Sequence, residues 1–99
     1  MSLPIRLLPE ATDDLSAAVE WYKKTKTIGL GERFVVAVRD AIRRVATHPT
    51  MHGTVYQDVR KSRVIGFPYI VLYREDQGEL VVISVFHTSR DPAEWQIRA

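Results

Sequence analysis

A histidine at the end of an apolar strand, followed at once by a hydroxyl-bearing, charged turn, is where this chain could do chemistry. The run is His87-Thr88-Ser89-Arg90-Asp91-Pro92. An imidazole titrates near neutral pH and can move a proton, whereas a guanidinium offers a fork of donors to a phosphate or carboxylate. Upstream, Arg60, Lys61 and Arg63 add cations. The plainer reading of His87 is a strand-end residue that hydrogen-bonds the tail and orients Arg90 or Asp91, in a turn with a local ion pair. His48 and His52 read as helix-end and loop residues. No histidine pair has metal-ligand spacing, so no metal and no cofactor are expected.

The elements that must hold these groups follow from hydrophobic period. Leu3 to Leu8 reads as a short strand bracketed by Pro4 and Pro9, which confine it to an edge. From Glu10 the period becomes helical, with Ala11, Leu15, Ala18, Val19 and Tyr22 on one stripe and Glu10, Asp13 and Asp14 in the first turn, where negative charge suits the helix dipole. That helix is predicted to reach about Lys24. After a break at Thr25–Gly31, the stripe Phe34, Val38, Ala41, Ile42, Val45 predicts a second helix that stops near Thr47, before Pro49. Val59 to Ile65 reads as a strand of mixed polarity, and Gly66 to Pro68 as a turn. Tyr69–Arg74 and Glu79–His87 are predicted to pair as an antiparallel hairpin across Glu75-Asp76-Gln77-Gly78.

The expected fold is therefore α+β: a two-helix hairpin on a small antiparallel sheet, in the order β-α-α-β-β-β with a short C-terminal tail. Ninety-nine residues make a single domain over 1–99, with 45% hydrophobic and 26% charged residues, a globular rather than disordered balance. The two hairpin strands are apolar on nearly every residue, more than so short a chain is expected to cover. One sheet face is thus predicted to stay open for a partner.

A net charge of +2 does not by itself imply nucleic-acid binding. The basic residues do cluster, at Lys23, Lys24 and Lys26, at Arg39, Arg43 and Arg44, and at Arg60, Lys61 and Arg63. Each cluster reads most simply as a solvated face. Trp21 and Tyr22 are neighbours and cannot both face the core, and Tyr22 continues the stripe. Trp21, with Arg39, Arg43, Arg60 and Lys61, is therefore a candidate partner contact, while Trp95 is expected to cap the sheet. The absence of cysteine fits a reducing compartment, and neither a signal peptide nor a membrane span is visible, so a cytoplasmic location is expected.

Several stretches together resemble the RelE/ParE superfamily of type II toxin–antitoxin toxins, which includes plasmid stabilisation proteins, and its ParE-like branch in particular. They are Ala11-Thr12-Asp13-Asp14-Leu15 and Val19-Glu20-Trp21-Tyr22, Ala46-Thr47-His48-Pro49, the strand Phe67–Arg74, and the run from Val85 to Trp95. The resemblance implies a growth-inhibiting toxin neutralised by a ParD-like antitoxin whose C-terminal segment wraps around it as helix and strand. Two targets are open. RelE-like members cut messenger RNA on the ribosome, for which His87, Arg63 and Arg90 would be the catalytic set. ParE-like members are associated with poisoning DNA gyrase. Ile70 stands where similar nucleases usually carry Arg, and Trp95 stands where several carry Tyr. Both departures favour gyrase. A third alternative is a remnant that binds antitoxin without activity.

Overall fold

The computed structural model describes residues 2–99; Met1 lies outside them. Strand β1 (Ile5–Leu7) leads directly into α1 (Pro9–Lys23), with Pro9 in the first helical turn, where a missing N–H costs nothing. The Leu8 carbonyl accepts from the N–H groups of Ala11 and Thr12, at 2.9 and 3.1 Å. Gly29, at φ 79°, takes the left-handed conformation that turns the chain into α2 (Leu30–Thr47). Then come β2 (Thr54–Tyr56), β3 (Val59–Val64), β4 (Tyr69–Asp76), β5 (Glu79–His87) and the short α3 (Ala93–Gln96).

The helical hairpin on a sheet is as the periodicity predicts, with two additions and one change of direction. The five strands lie in the order β1-β5-β4-β3-β2, and β1 runs parallel to β5, so the sheet is mixed rather than purely antiparallel. Strand direction is set by where the helical hairpin returns the chain, which an alternation pattern does not encode. β2 is three exposed or half-buried residues, too short to show a period. The β4–β5 connection is also tighter than expected: Asp76 pairs Glu79, and Gln77 and Gly78 both have positive φ, as a two-residue hairpin turn requires.

Between Leu72 and Tyr73 the β4–β5 register shifts, for Leu72 faces Ser84 while Tyr73 faces Val82. Ile83 is the extra residue of a β-bulge, which resets the alternation along β5. Val82 and Val85 accordingly both pack under the helices, whereas Ile83 and Phe86 point to the opposite face. Under α1 and α2 lies the main core of Phe34, Val38, Val45, Val71, Tyr73 and their neighbours.

The opposite face is not open, which corrects the expectation of a free apolar surface. Val59, Leu72, Ile83 and Phe86 are covered by Trp95, itself 4% exposed, with Leu8, Tyr56 and Ile70 at the margin. The hydrophobic run Leu80–Phe86 is explained by burial on both sides, the second by a single indole delivered from the tail. Trp95 meets Tyr56 edge to face at 5.8 Å.

Among the described residues two buried side-chain polar atoms have no hydrogen-bond partner, His52 Nε2 and the Tyr73 hydroxyl. The Tyr73 hydroxyl sits in the main core without a hydrogen bond. Since a buried unsatisfied group costs about 1–3 kcal/mol, Tyr73→Phe should raise stability by roughly 1 kcal/mol in urea denaturation at unchanged m-value. A loss of stability would show that the hydroxyl is bonded in solution.

Candidate functional site

Strand β1 ends at Leu7, and its last bond to β5 is Leu8 N–H to the Val82 carbonyl at 3.0 Å. From Ile83 onward the outer edge of β5 therefore has no neighbouring strand among the described residues. Side chains take over part of it. Asp14 of α1 accepts the Val85 N–H at 3.2 Å and the Ser84 hydroxyl at 2.7 Å. Arg98, from beyond α3, donates to both Asp14 oxygens at 2.7 and 3.2 Å and to the Ile83 carbonyl at 3.3 Å. An ion pair thus stands in for a strand residue. The side chains of Asp14 and Arg98 are 18% and 22% exposed, and the carboxylate beside it raises the Arg98 pKa further above its ordinary value.

Past this pair, a groove of about 530 Å³ opens between α1, the end of β5 and the tail. Its size is that of a ligand cleft. Ala17, Ala18 and Trp21 form the α1 wall, Tyr69 and His87 the floor, and Arg90 and Glu94 the far side. The His87 ring lies edge-on to Tyr69 at 5.0 Å. Its Nδ1 accepts the Ser89 N–H at 3.0 Å and lies 2.7 Å from the Ser89 hydroxyl, so in the neutral ring the proton sits on Nε2. The Arg90–Asp91 ion pair is not formed: Asp91 instead accepts the Ala93 N–H at 3.0 Å, starting α3.

Burial raises the pKa of Tyr69 above 10.0, with Arg90 lowering it in part and Asp14 raising it. Burial likewise raises Tyr73, against Arg60, and raises Tyr22, with Tyr69 adding to it. A tyrosine with a raised folded pKa contributes stability in full below its unfolded pKa, which is lost as pH rises through the folded value. Unfolding should therefore set in above about pH 10, with tyrosinate absorbance at 295 nm rising together with loss of far-UV circular dichroism. Full ionisation of the tyrosines in a still-folded chain would contradict this.

The family model described as the ParE toxin of the type II toxin-antitoxin system, parDE, matches residues 5–92. The chain belongs to the ParE toxin family. No curated protein matches it. Among solved structures, a chain of the chromosomal ParDE TA system from P. aeruginosa is similar at 16% identity with a TM-score of 0.67, covering 89% of this chain and 98% of that one. That likeness is one of fold.

In this ParE-family chain the residues singled out from sequence do not converge. His87 and Arg90 share the groove, but Arg63 does not reach it. Arg63 faces Ile70 across β3–β4, on the sheet side covered by Trp95, while His87 contacts Tyr69 on the helix side. Lys61 is exposed on the Arg63 side. Arg60 is half-buried on the other side and donates to the His52 carbonyl. Arg39 pairs with Asp40 at 3.6 Å, and Arg43 lines a shallow hollow on the outer face of α2. Of the partner candidates, only Trp21, 64% exposed, borders the groove.

The residues that build the groove's inner end were missed. Asp14 is more than a helix-dipole charge. It falls three residues after Ala11 and four before Ala18, on the buried stripe, and an acid in that position is a readable signal for a fixed role. Nothing near Arg98 announces that it will meet Asp14.

Proposed function

We propose that this ParE-family chain is a growth-inhibiting toxin that acts in the cytoplasm on DNA gyrase through protein contact and is neutralised by a ParD-like antitoxin. The observation that carries the choice of target is the separation of Arg63 from His87 and Arg90. Cleavage of RNA by its own 2′-hydroxyl needs a base, an acid and a cation around one phosphate. Here one cation is on one face of the sheet and the histidine is on the other. Across the sheet Ile70 stands between Arg63 and Phe86 and cannot stabilise a phosphorane, and the Trp95 indole on that face is buried as packing.

The deciding experiment sets the purified chain against gyrase supercoiling and, separately, against messenger RNA on translating ribosomes. Supercoiling should be inhibited, messenger RNA should stay intact, and Arg63→Ala and His87→Ala should each keep growth arrest. Ribosome-dependent cleavage abolished by both substitutions would establish the RelE-type alternative instead. Normal growth on expression without a partner would leave only an antitoxin-binding remnant.

A further inference from the structure

We propose that the last turns of α2 and the exposed face of β3 form one cationic ridge that grips the phosphate backbone of duplex DNA. That the duplex is the one gyrase holds rests on the gyrase reading above; the ridge itself rests on charge and packing.

Taken singly, each basic cluster is a solvated face, but the fold joins two of the three. Strand β2 pairs only with Val59 and Arg60, so the outer edge of β3 from Lys61 onward has no neighbouring strand among the described residues. Arg44 of α2 donates to the Arg63 carbonyl at 3.2 Å and ties the helix to that stretch of strand. On the helix side stand Arg43 and Arg44, with Thr47 and His48 around a shallow hollow. On the other side Lys61 and Arg63, two residues apart on β3, share one strand face and are exposed. The third cluster, Lys23, Lys24 and Lys26, lies before α2 begins at Leu30, about 20 Å from Arg43 at 1.5 Å of helix per residue.

Charge is segregated to match. From Arg33 to Arg63 the chain carries seven Lys and Arg against two Asp, while the remainder carries seven against ten Asp and Glu. Both of those Asp are engaged, Asp40 with Arg39 at 3.6 Å and Asp58 with Arg74 at 3.2 Å. Arg43, Arg44, Lys61 and Arg63 have no carboxylate within ion-pair distance among the described residues. Arg44 is half-buried and its bond is to a neutral carbonyl, so its charge is held in place without being compensated. The negative end of the α2 dipole accounts for a cation in the helix's last turn. It does not account for Lys61 and Arg63, which stand on a strand. An anion bound across the edge would compensate all four.

The side chains also state what form that anion takes. Single-stranded nucleic acid is gripped by stacking its bases on aromatic rings, and the one exposed aromatic among the described residues, Trp21, lies at the groove instead. Protein interfaces are depleted of charge at their centre and enriched in aromatics, the reverse of this composition. Duplex DNA is held mainly through its phosphates by Arg, Lys and hydroxyl donors, which are what the ridge offers. Cations on both flanks of a ridge can meet phosphates on both walls of a groove. With four cations, losing one leaves three, which is why Arg63→Ala keeps growth arrest.

The test uses the full chain and a short labelled DNA duplex of arbitrary sequence, without gyrase. Binding should weaken on the order of 100-fold between about 50 and about 200 mM salt, at a log–log slope of about −3.6, or about −0.9 for each of four neutralised phosphates. Arg43→Ala combined with Lys61→Ala, both at exposed positions, should reduce the slope by about two and weaken binding about tenfold at unchanged melting temperature. Lys24→Ala combined with Lys26→Ala removes the same charge from the distant cluster and should change affinity by less than about threefold. In a supercoiling assay, the Arg43→Ala, Lys61→Ala chain should need about tenfold more toxin for the same inhibition. Equal losses from the two double variants, or a slope near zero, overturn the ridge. Tighter binding of single-stranded RNA than of the duplex overturns the assignment to duplex DNA. Supercoiling inhibited equally by the original chain and the ridge variant overturns the link to gyrase-held DNA and leaves the gyrase reading in place. Duplex binding at the expected slope with no inhibition by the original chain overturns the gyrase reading and leaves the ridge standing.

Discussion

Replacing Trp95 by Ala is expected to destabilise the chain by about 3–5 kcal/mol, the range for removing a large buried aromatic. The indole is 4% exposed and covers Leu72, Ile83 and Phe86, with only the partly buried Leu8, Tyr56 and Ile70 packed beside it among the described residues. A domain of this size has total stability of about 5–15 kcal/mol, so the substitution removes a large share of it. The melting temperature should fall by about 12–40 °C. Loss of the indole also bares an apolar sheet face, so Trp95→Ala should bind a hydrophobic dye and aggregate on warming. Trp95→Phe should recover more than half of the loss. Fluorescence offers an internal check, because the other tryptophan, Trp21, is 64% exposed. The blue-shifted, quencher-resistant emission should belong to Trp95 and vanish with it. A Trp95→Ala chain as stable as the original would mean that the tail does not cover the sheet in solution.

Asp14→Ala should cost about 2–4 kcal/mol, for it leaves a mostly buried Arg98 guanidinium, the Ser84 hydroxyl and the Val85 N–H without their acceptor. One carboxylate joins α1, the bulged strand and the chain's last residues, so the effect should not be local. Release of Arg98 should loosen α3, visible as faster proteolysis near the C-terminus and as greater quenching of Trp95 fluorescence. A double-mutant cycle with Arg98→Ala should return a coupling of about 1–3 kcal/mol. Coupling near zero would reduce the pair to a surface contact.

The first of these residues covers the sheet face away from the helices, and the second lines the groove. Trp95 closes the sheet face that would otherwise attract any apolar segment, and Asp14 with Arg98 closes the first part of the β5 edge. What stays accessible is a short stretch of backbone beside an apolar wall.

Much of this was legible in the residues alone. Helical spacing placed Ala11, Ala18 and Tyr22 on one stripe and Phe34, Val38, Ala41 and Val45 on another. The β-rich runs flanking Glu75-Asp76-Gln77-Gly78 read as a hairpin, though not its two-residue turn, and the order of motifs from Ala11 to Trp95 pointed to the ParE-like branch. These features are local: they depend on side-chain period, turn conformation and spacing along the chain, all of which a sequence carries directly. Tertiary structure alone decided that β1 runs parallel to β5, that the bulge at Ile83 turns Ile83 and Phe86 outward, and that Trp95 returns to cover them. It also decided that Arg63 and His87 lie on opposite sides of the sheet and that Asp14 meets Arg98 across 84 positions. The reason is physical. Which apolar face is free depends on what long-range packing brings over it, and a single indole from the tail was enough to close the face that composition had left open.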